Sequence, residues 1–161
     1  MSSGSIRVLV VDDYEPWHGF VAKVLKKQPE LEIVGRVCDG LVAVEQAEQL
    51  QPDLILLDIG LPTLNGIEAA TRIRQFSPSS KILFVSENHS VDIAEKALST
   101  GAGGYVVKSD AGIELLAGIQ AVLKGKRFVS ASVAAHFLAT ATLSAAQMNL
   151  SWLVMLISGI R

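Results

Sequence analysis

Leu54-Ile55-Leu56-Leu57 lies between Asp53 and Asp58, and the chain then breaks into a turn at Gly60 and Pro62. Four consecutive apolar residues without polar alternation form a stable strand only when both faces are covered, which predicts the centre of a parallel sheet. Asp58 then stands at the carboxyl end of a central strand. In open α/β sheets that edge is where ligands bind.

The neighbouring stretches supply the rest of such a sheet. Ile6 to Val11 reads as a strand stopping at Asp12-Asp13, and Glu15-Pro16 opens a helix with Trp17, Phe20, Val21, Val24 and Leu25 at helical spacing. Leu31 to Val37 reads as the second strand, followed by a helix from Gly40 with Ala43, Val44, Ala47 and Leu50 on one face. After the central strand, a loop through Asn65-Gly66 leads to a helix from Ile67 to near Arg74, closed by Ser77-Pro78. Lys81 to Val85 is a fourth strand ending at Ser86, and Val91, Ala94, Ala97 and Leu98 face inward from the next helix. Tyr105-Val106-Val107 forms a short fifth strand ending at Lys108, and Ile113 to Leu123 the last helix, closed by Gly125. Five strands alternating with five helices over short connections predict an α/β, doubly wound, five-stranded parallel sheet of order 2-1-3-4-5, with helices on both faces. The expected organisation is a disordered leader over 1–5, one domain over 6–125 and a helical apolar extension over 126–161.

Composition narrows the partners. A net charge of -2 gives no electrostatic footprint for nucleic acid over the whole chain and argues against direct nucleic-acid binding. The single cysteine, Cys38, excludes an intramolecular disulfide and any multi-cysteine metal site, and reads as a small buried hydrophobe in a reducing cytoplasm. The opening Met1-Ser2-Ser3-Gly4-Ser5 lacks the apolar core of a signal peptide. His18, His89 and His136 show no metal-ligand spacing, and His89 reads as a solvent-facing loop residue.

In a parallel sheet of that order, the strand ends carrying Asp12, Asp13, Asp58, Ser86 and Lys108 converge on one edge. Each residue alone has a plainer reading, because a solitary Asp at a strand end is commonly a cap or turn residue. Together, three carboxylates repel one another unless a cation neutralises them, and an all-oxygen site with room for water suits Mg²⁺ or Mn²⁺. A carboxylate so screened can attack a phosphoryl donor while Lys108 and Ser86 hold the remaining oxygens. The implied chemistry is aspartyl phosphorylation.

On these residues the chain resembles the receiver domain of bacterial two-component response regulators, over about residues 5 to 125. The resemblance implies a flavodoxin-like fold, with Asp58 as phosphoacceptor and Asp12, Asp13, Asp58 and the backbone carbonyl of Gly60 as metal ligands. It further implies Ser86 as the hydroxyl that follows the phosphoryl group, Tyr105 as an aromatic switch and Lys108 as the site's lysine. Pro62 and Gly66 match loop positions after the phosphoacceptor. The implied partners are a sensor histidine kinase and either a downstream protein or a second copy of the chain. Phosphorylation would re-form the surface of the fourth helix, fifth strand and fifth helix. Gly101-Ala102-Gly103-Gly104-Tyr105-Val106-Val107-Lys108 and Gly125-Lys126-Arg127-Phe128-Val129-Ser130 are most similar to the NarL/FixJ subfamily, whose members usually continue into a helix-turn-helix output domain.

Two positions depart from that pattern or tune it. Glu87 replaces the usual small residue after Ser86, and a long anionic side chain there is expected to slow small phosphodonors. By the same resemblance, Asn88 matches a position where receivers tune the lifetime of the phosphoryl group. Beyond Phe128 the chain departs more strongly, with no charged residue from Phe137 to Ile160. Thr140, Thr142, Ser144, Gln147, Asn149 and Ser151 interrupt that stretch enough to disfavour membrane insertion, so it is expected to pack on a partner or on itself. It has neither the length nor the charge for a helix-turn-helix, so the chain reads as a stand-alone receiver or as one whose output domain is lost or separate.

Three function classes follow. The first is a phosphorylation-dependent signalling module that is not an enzyme on external substrates. The second is a transcription regulator acting on DNA through a dimer or a separate subunit. The third, an aspartyl-phosphate phosphatase on the same scaffold, would need a substrate pocket and an additional general acid.

Overall fold

A computed structural model describes residues 4–136. Its elements run in the order β1 (Ile6–Val11), α1 (Glu15–Lys26), β2 (Leu31–Val37), α2 (Gly40–Leu50), β3 (Leu54–Leu57), α3 (Gly66–Phe76), β4 (Lys81–Ser86), α4 (Val91–Leu98) and β5 (Gly104–Val107). A 3₁₀ turn over Lys108–Asp110, α5 (Ala111–Leu123) and β6 (Phe128–Val129) follow, and residues 131–136 are again helical. The strands lie in the order β2-β1-β3-β4-β5-β6, all neighbouring pairs parallel.

The sheet thus carries one strand more than the five expected. Phe128 and Val129 pair with Gly104 and Tyr105, and the pairing is fixed from outside the strand. The Ser130 hydroxyl accepts from the Val107 N–H at 2.8 Å, and the Ser130 N–H donates to the Tyr105 carbonyl at 2.9 Å. A two-residue strand has too short a pattern to be read from sequence; hydrogen bonds from a flanking serine hold it instead.

Every residue of β3 is buried, as a central parallel strand requires. Side chains alternate across the sheet. Leu9, Val11, Ile55, Leu57, Phe84, Tyr105 and Val107 pack under α2, α3 and α4, joined by Val133 and Ala134. Val8, Val10, Leu54, Leu56, Leu83, Val85 and Val106 pack under α1 and α5 through Trp17, Val21, Leu25, Leu115 and Ile119. These two cores hold the carboxyl ends of β1, β3, β4 and β5 side by side.

Cys38 is exposed rather than buried. It follows the last residue of edge strand β2, where the chain turns out to meet the Asp39 cap of α2, so neither sheet face covers it. Among the described residues no helix is long and apolar enough to cross a membrane. The expectations for residues 1–3 and for the apolar stretch 137–160 lie outside the described residues.

Candidate functional site

The loop after β1 is shaped by its own hydrogen bonds. Asp12 is fully buried; its Oδ1 accepts from the Tyr14 N–H at 2.9 Å, and its carbonyl accepts from His18 Nε2 at 2.7 Å. Asp13, next in the chain, is exposed at the rim. Asp58 leaves β3 nearly buried, with its Oδ1 accepting from the Ile59 N–H at 2.8 Å. The carboxylates of Asp12, Asp13 and Asp58 each place an oxygen within 4.8 Å of the others.

Lys108 enters from the end of β5. Its Nζ lies 2.6 Å from Asp12 Oδ2 and 3.7 Å from Asp58 Oδ2, and 5.1 Å from the centroid of the Trp17 ring. One ammonium therefore faces two carboxylates with a third beside them. Burial pushes the Asp58 carboxyl up to about 6, and the charge of Asp12 adds to this, while Lys108 and the Ile59 N–H pull the other way. Such a cluster retains unneutralised negative charge, and its all-oxygen donors suit a hard divalent cation, so the residues present fit Mg²⁺ or Mn²⁺.

The other sequence-predicted residues meet around the same space. Asp13, Asp58, Gly60, Ser86, Glu87, Asn88 and Lys108 line one cleft of about 590 Å³, together with Tyr14, Ile59 and Ile93. The Ser86 hydroxyl is buried and accepts from the Asn88 N–H at 3.1 Å, while Glu87 is exposed. Tyr105 stands slightly apart: its ring is fully buried, and its hydroxyl donates to the Asn88 carbonyl at 2.7 Å, joining β5 to the β4–α4 loop.

Sequence reasoning missed two side chains at this site. Trp17 reads as core, yet its ring also faces the Lys108 ammonium. His18 has no ligand spacing, yet it anchors the Asp12 backbone. The second has no sequence signature, because its partner is a carbonyl that any residue would supply.

Comparison with known proteins points to one family. The family described as the response regulator receiver domain matches residues 8–120. The chain is 32% identical over 133 residues to the transcriptional regulatory protein DegU of Brevibacillus brevis, covering 83% of this chain and 56% of that protein. It is 34% identical over 124 residues to the nitrate/nitrite response regulator protein NarL of Escherichia coli, covering 76% of this chain and 57% of that protein. The chain thus spans little more than half the length of these relatives. Among solved structures, a two-component response regulator of the LuxR family from Aurantimonas sp. superposes with a TM-score of 0.73 at 31% identity, covering 80% of this chain and 91% of that one.

Proposed function

The chain belongs to the response regulator receiver domain family, and on that premise we propose that it is a signalling module which accepts a phosphoryl group on Asp58 from a sensor histidine kinase. The observation that carries this reading is the Asp58 carboxylate at the end of the central strand, with Asp12 and Asp13 within 4.8 Å and Lys108 Nζ at 3.7 Å. An Asp58 oxygen attacks phosphorus, the P–N bond to the kinase imidazole breaks with its electron pair, and the freed imidazole takes up a proton from water. Asp12, Asp13, Asp58 and the Gly60 carbonyl would hold Mg²⁺ or Mn²⁺, which when bound offsets the charge gathered on the transferring group. Lys108 supplies a fixed positive charge to the phosphoryl oxygens, and the Ser86 hydroxyl donates to another.

The readout follows from the same contacts. A Ser86 hydroxyl drawn toward a phosphoryl group gives up its bond from the Asn88 N–H, and the Asn88 carbonyl is the acceptor of Tyr105. Tyr105 thereby couples the site to α4, β5 and α5, the surface proposed to engage a downstream protein or a second copy of the chain. A cytoplasmic location suits a kinase partner and a single cysteine. The names of the relatives favour transcription control as the eventual output, which would be delivered on DNA through a dimer or a separate output domain.

Incubation with acetyl phosphate and Mg²⁺, read by intact mass, is expected to add one phosphoryl group to the native chain and none to Asp58→Asn. Beryllofluoride is expected to shift the sedimentation of the native chain alone. A native chain that stays unmodified under both conditions removes the proposal.

A further inference from the structure

The opposite edge of the sheet carries a second charged cavity, built from segments far apart in sequence. Lys81 begins β4, Gly103 precedes β5, Arg127 precedes β6, and Arg74 lies in the last turn of α3. Arg74, Lys81, Lys126 and Arg127 line one cavity of about 240 Å³ together with Gly101, Ala102, Gly103 and Gly125, and no lining residue is acidic. Among the described residues none of these four cations is within salt-bridge distance of a carboxylate, the ion pairs being those of Lys108. Arg127 Nη1 is buried without a hydrogen-bond partner. A guanidinium cannot shed its charge, so the unpaired N–H on it is a donor free to meet an anion.

The backbone keeps the space open. Gly101 and Gly125 both have positive φ, 94° and 77°, which glycine alone adopts without strain. A Cβ on Gly101 would lie 3.2 Å from Arg74 Nε, and one on Gly125 would lie 4.0 Å from Lys81 Nζ. A side chain at Gly101 would therefore press on the Arg74 guanidinium, whereas at Gly125 the positive φ, not contact with Lys81, is what asks for glycine. The volume falls below the roughly 300–1,000 Å³ of pockets for drug-sized ligands, so the occupant is small. Four cations of one sign, one of them a fork with an unused buried donor, suit the charge and acceptor chemistry of a phosphate group.

We propose that Arg74, Lys81, Lys126 and Arg127 form a binding site for a small, multiply charged phosphate anion at the amino edge of the sheet, remote from Asp58. The concave shape favours a compact anion over the extended backbone of a nucleic acid, which needs a longer basic track. This site is independent of the phosphoacceptor chemistry.

Calorimetric titration of the full chain with pyrophosphate, without Mg²⁺ and at constant ionic strength, is expected to show one saturable site, with inorganic phosphate binding about tenfold more weakly. Lys81→Gln combined with Arg127→Gln is expected to weaken pyrophosphate binding at least about tenfold, whereas Asp58→Asn leaves it unchanged. In amide NMR spectra the shifts are expected at Gly101, Gly103 and Gly125. Should the double variant fail to fold, Arg74→Gln, at an exposed position, is expected to show the same direction of effect. Absence of saturable binding, unaltered affinity in these variants, or shifts centred on Ser86 and Lys108 would overturn the assignment. Displacement of pyrophosphate by a short DNA duplex of higher affinity would do so as well, in favour of nucleic-acid binding.

Discussion

Glu87 and Asp58 face the same cleft with opposite consequences for its charge. Glu87 is exposed there and has no cationic partner among the described residues, so its carboxylate confronts any incoming phosphodonor. Glu87→Ala is expected to speed phosphorylation by acetyl phosphate about 3–10-fold at low salt and less at high salt, since the repulsion is screened. Equal initial rates for the two proteins would assign Glu87 no gating role. Asp58 makes a different prediction, about stability. Its folded carboxyl titrates near 6 against an ordinary value of 3.8, so the folded state prefers the protonated form. The associated stability is fully present below pH 3.8 and is lost as pH rises through about 6. The shift corresponds to about 3 kcal/mol unscreened, and solvent at the cleft mouth reduces this to about 1–2 kcal/mol. Asp58→Asn in metal-free buffer is therefore expected to raise Tm at pH 8 by about 3–6 °C, with the advantage vanishing near pH 3.5. A variant no more stable than the native chain at pH 8 would show that the acidic cluster carries no strain. The charged residues were legible as a group because each ends a strand. Their unequal burial, with Asp12 and Asp58 inside and Asp13 outside, was not, because it depends on how the loop after β1 folds back on His18 and Tyr14.

At the scale of elements, the sequence announces most of the sheet through apolar runs and little of what fixes the loops at its working edge. α3 is a clear case. Asn65-Gly66 reads as a loop leading into a helix, and Asn65 does cap α3 by accepting from the Glu68 N–H at 3.0 Å. The pattern does not reveal that Gly66 rests on the backbone of Asp58. A Cβ there would lie 1.9 Å from the Asp58 carbonyl oxygen and 2.8 Å from Ile59 Cα, so any side chain forces α3 away from β3. Gly66→Ala is expected to cost about 2–3 kcal/mol in urea unfolding and to slow phosphorylation of Asp58. Gly19, inside α1 with nothing within 4 Å of its would-be Cβ, is the matching control. Gly19→Ala is expected to stabilise by about 0.5–1 kcal/mol, since only backbone entropy changes. The reverse order of the two effects would mean that contact at Gly66 does not govern the fit of α3. The basic cavity shows the same limit of sequence reading. Its four cations lie in three separate segments, so the basic stretch Lys124-Gly125-Lys126-Arg127 does not reveal that Arg74 and Lys81 join it.

For the whole molecule, the open question is where the receiver unit stops. A boundary after Gly125 follows from reading α5 as the last element, yet β6 and residues 131–136 continue the fold. Phe128–Val129 covers the edge of β5, Ser130 ties that edge by two hydrogen bonds, and the Ser132 hydroxyl donates to Asp110 Oδ2 at 2.7 Å. Val129, Val133 and Ala134 are buried in the core beneath α4, the same core that holds Tyr105. The segment 126–136 thus lies beside the strand that bears Tyr105 and that ends just before Lys108. Removing it takes away two buried valines and an alanine, and bares the core they cover and the hydrogen-bonding edge of β5. A chain ending at Gly125 is therefore expected to lose about 3–4 kcal/mol in urea unfolding and to self-associate through the bared edge, whereas one ending at His136 keeps both the stability and the monomer–oligomer balance of the described fold. Urea melts combined with sedimentation of the two truncated chains would decide this. If the shorter chain is as stable and as dispersed as the longer, β6 is an accessory, and any signal reaching the carboxyl-terminal stretch must leave the domain by another face.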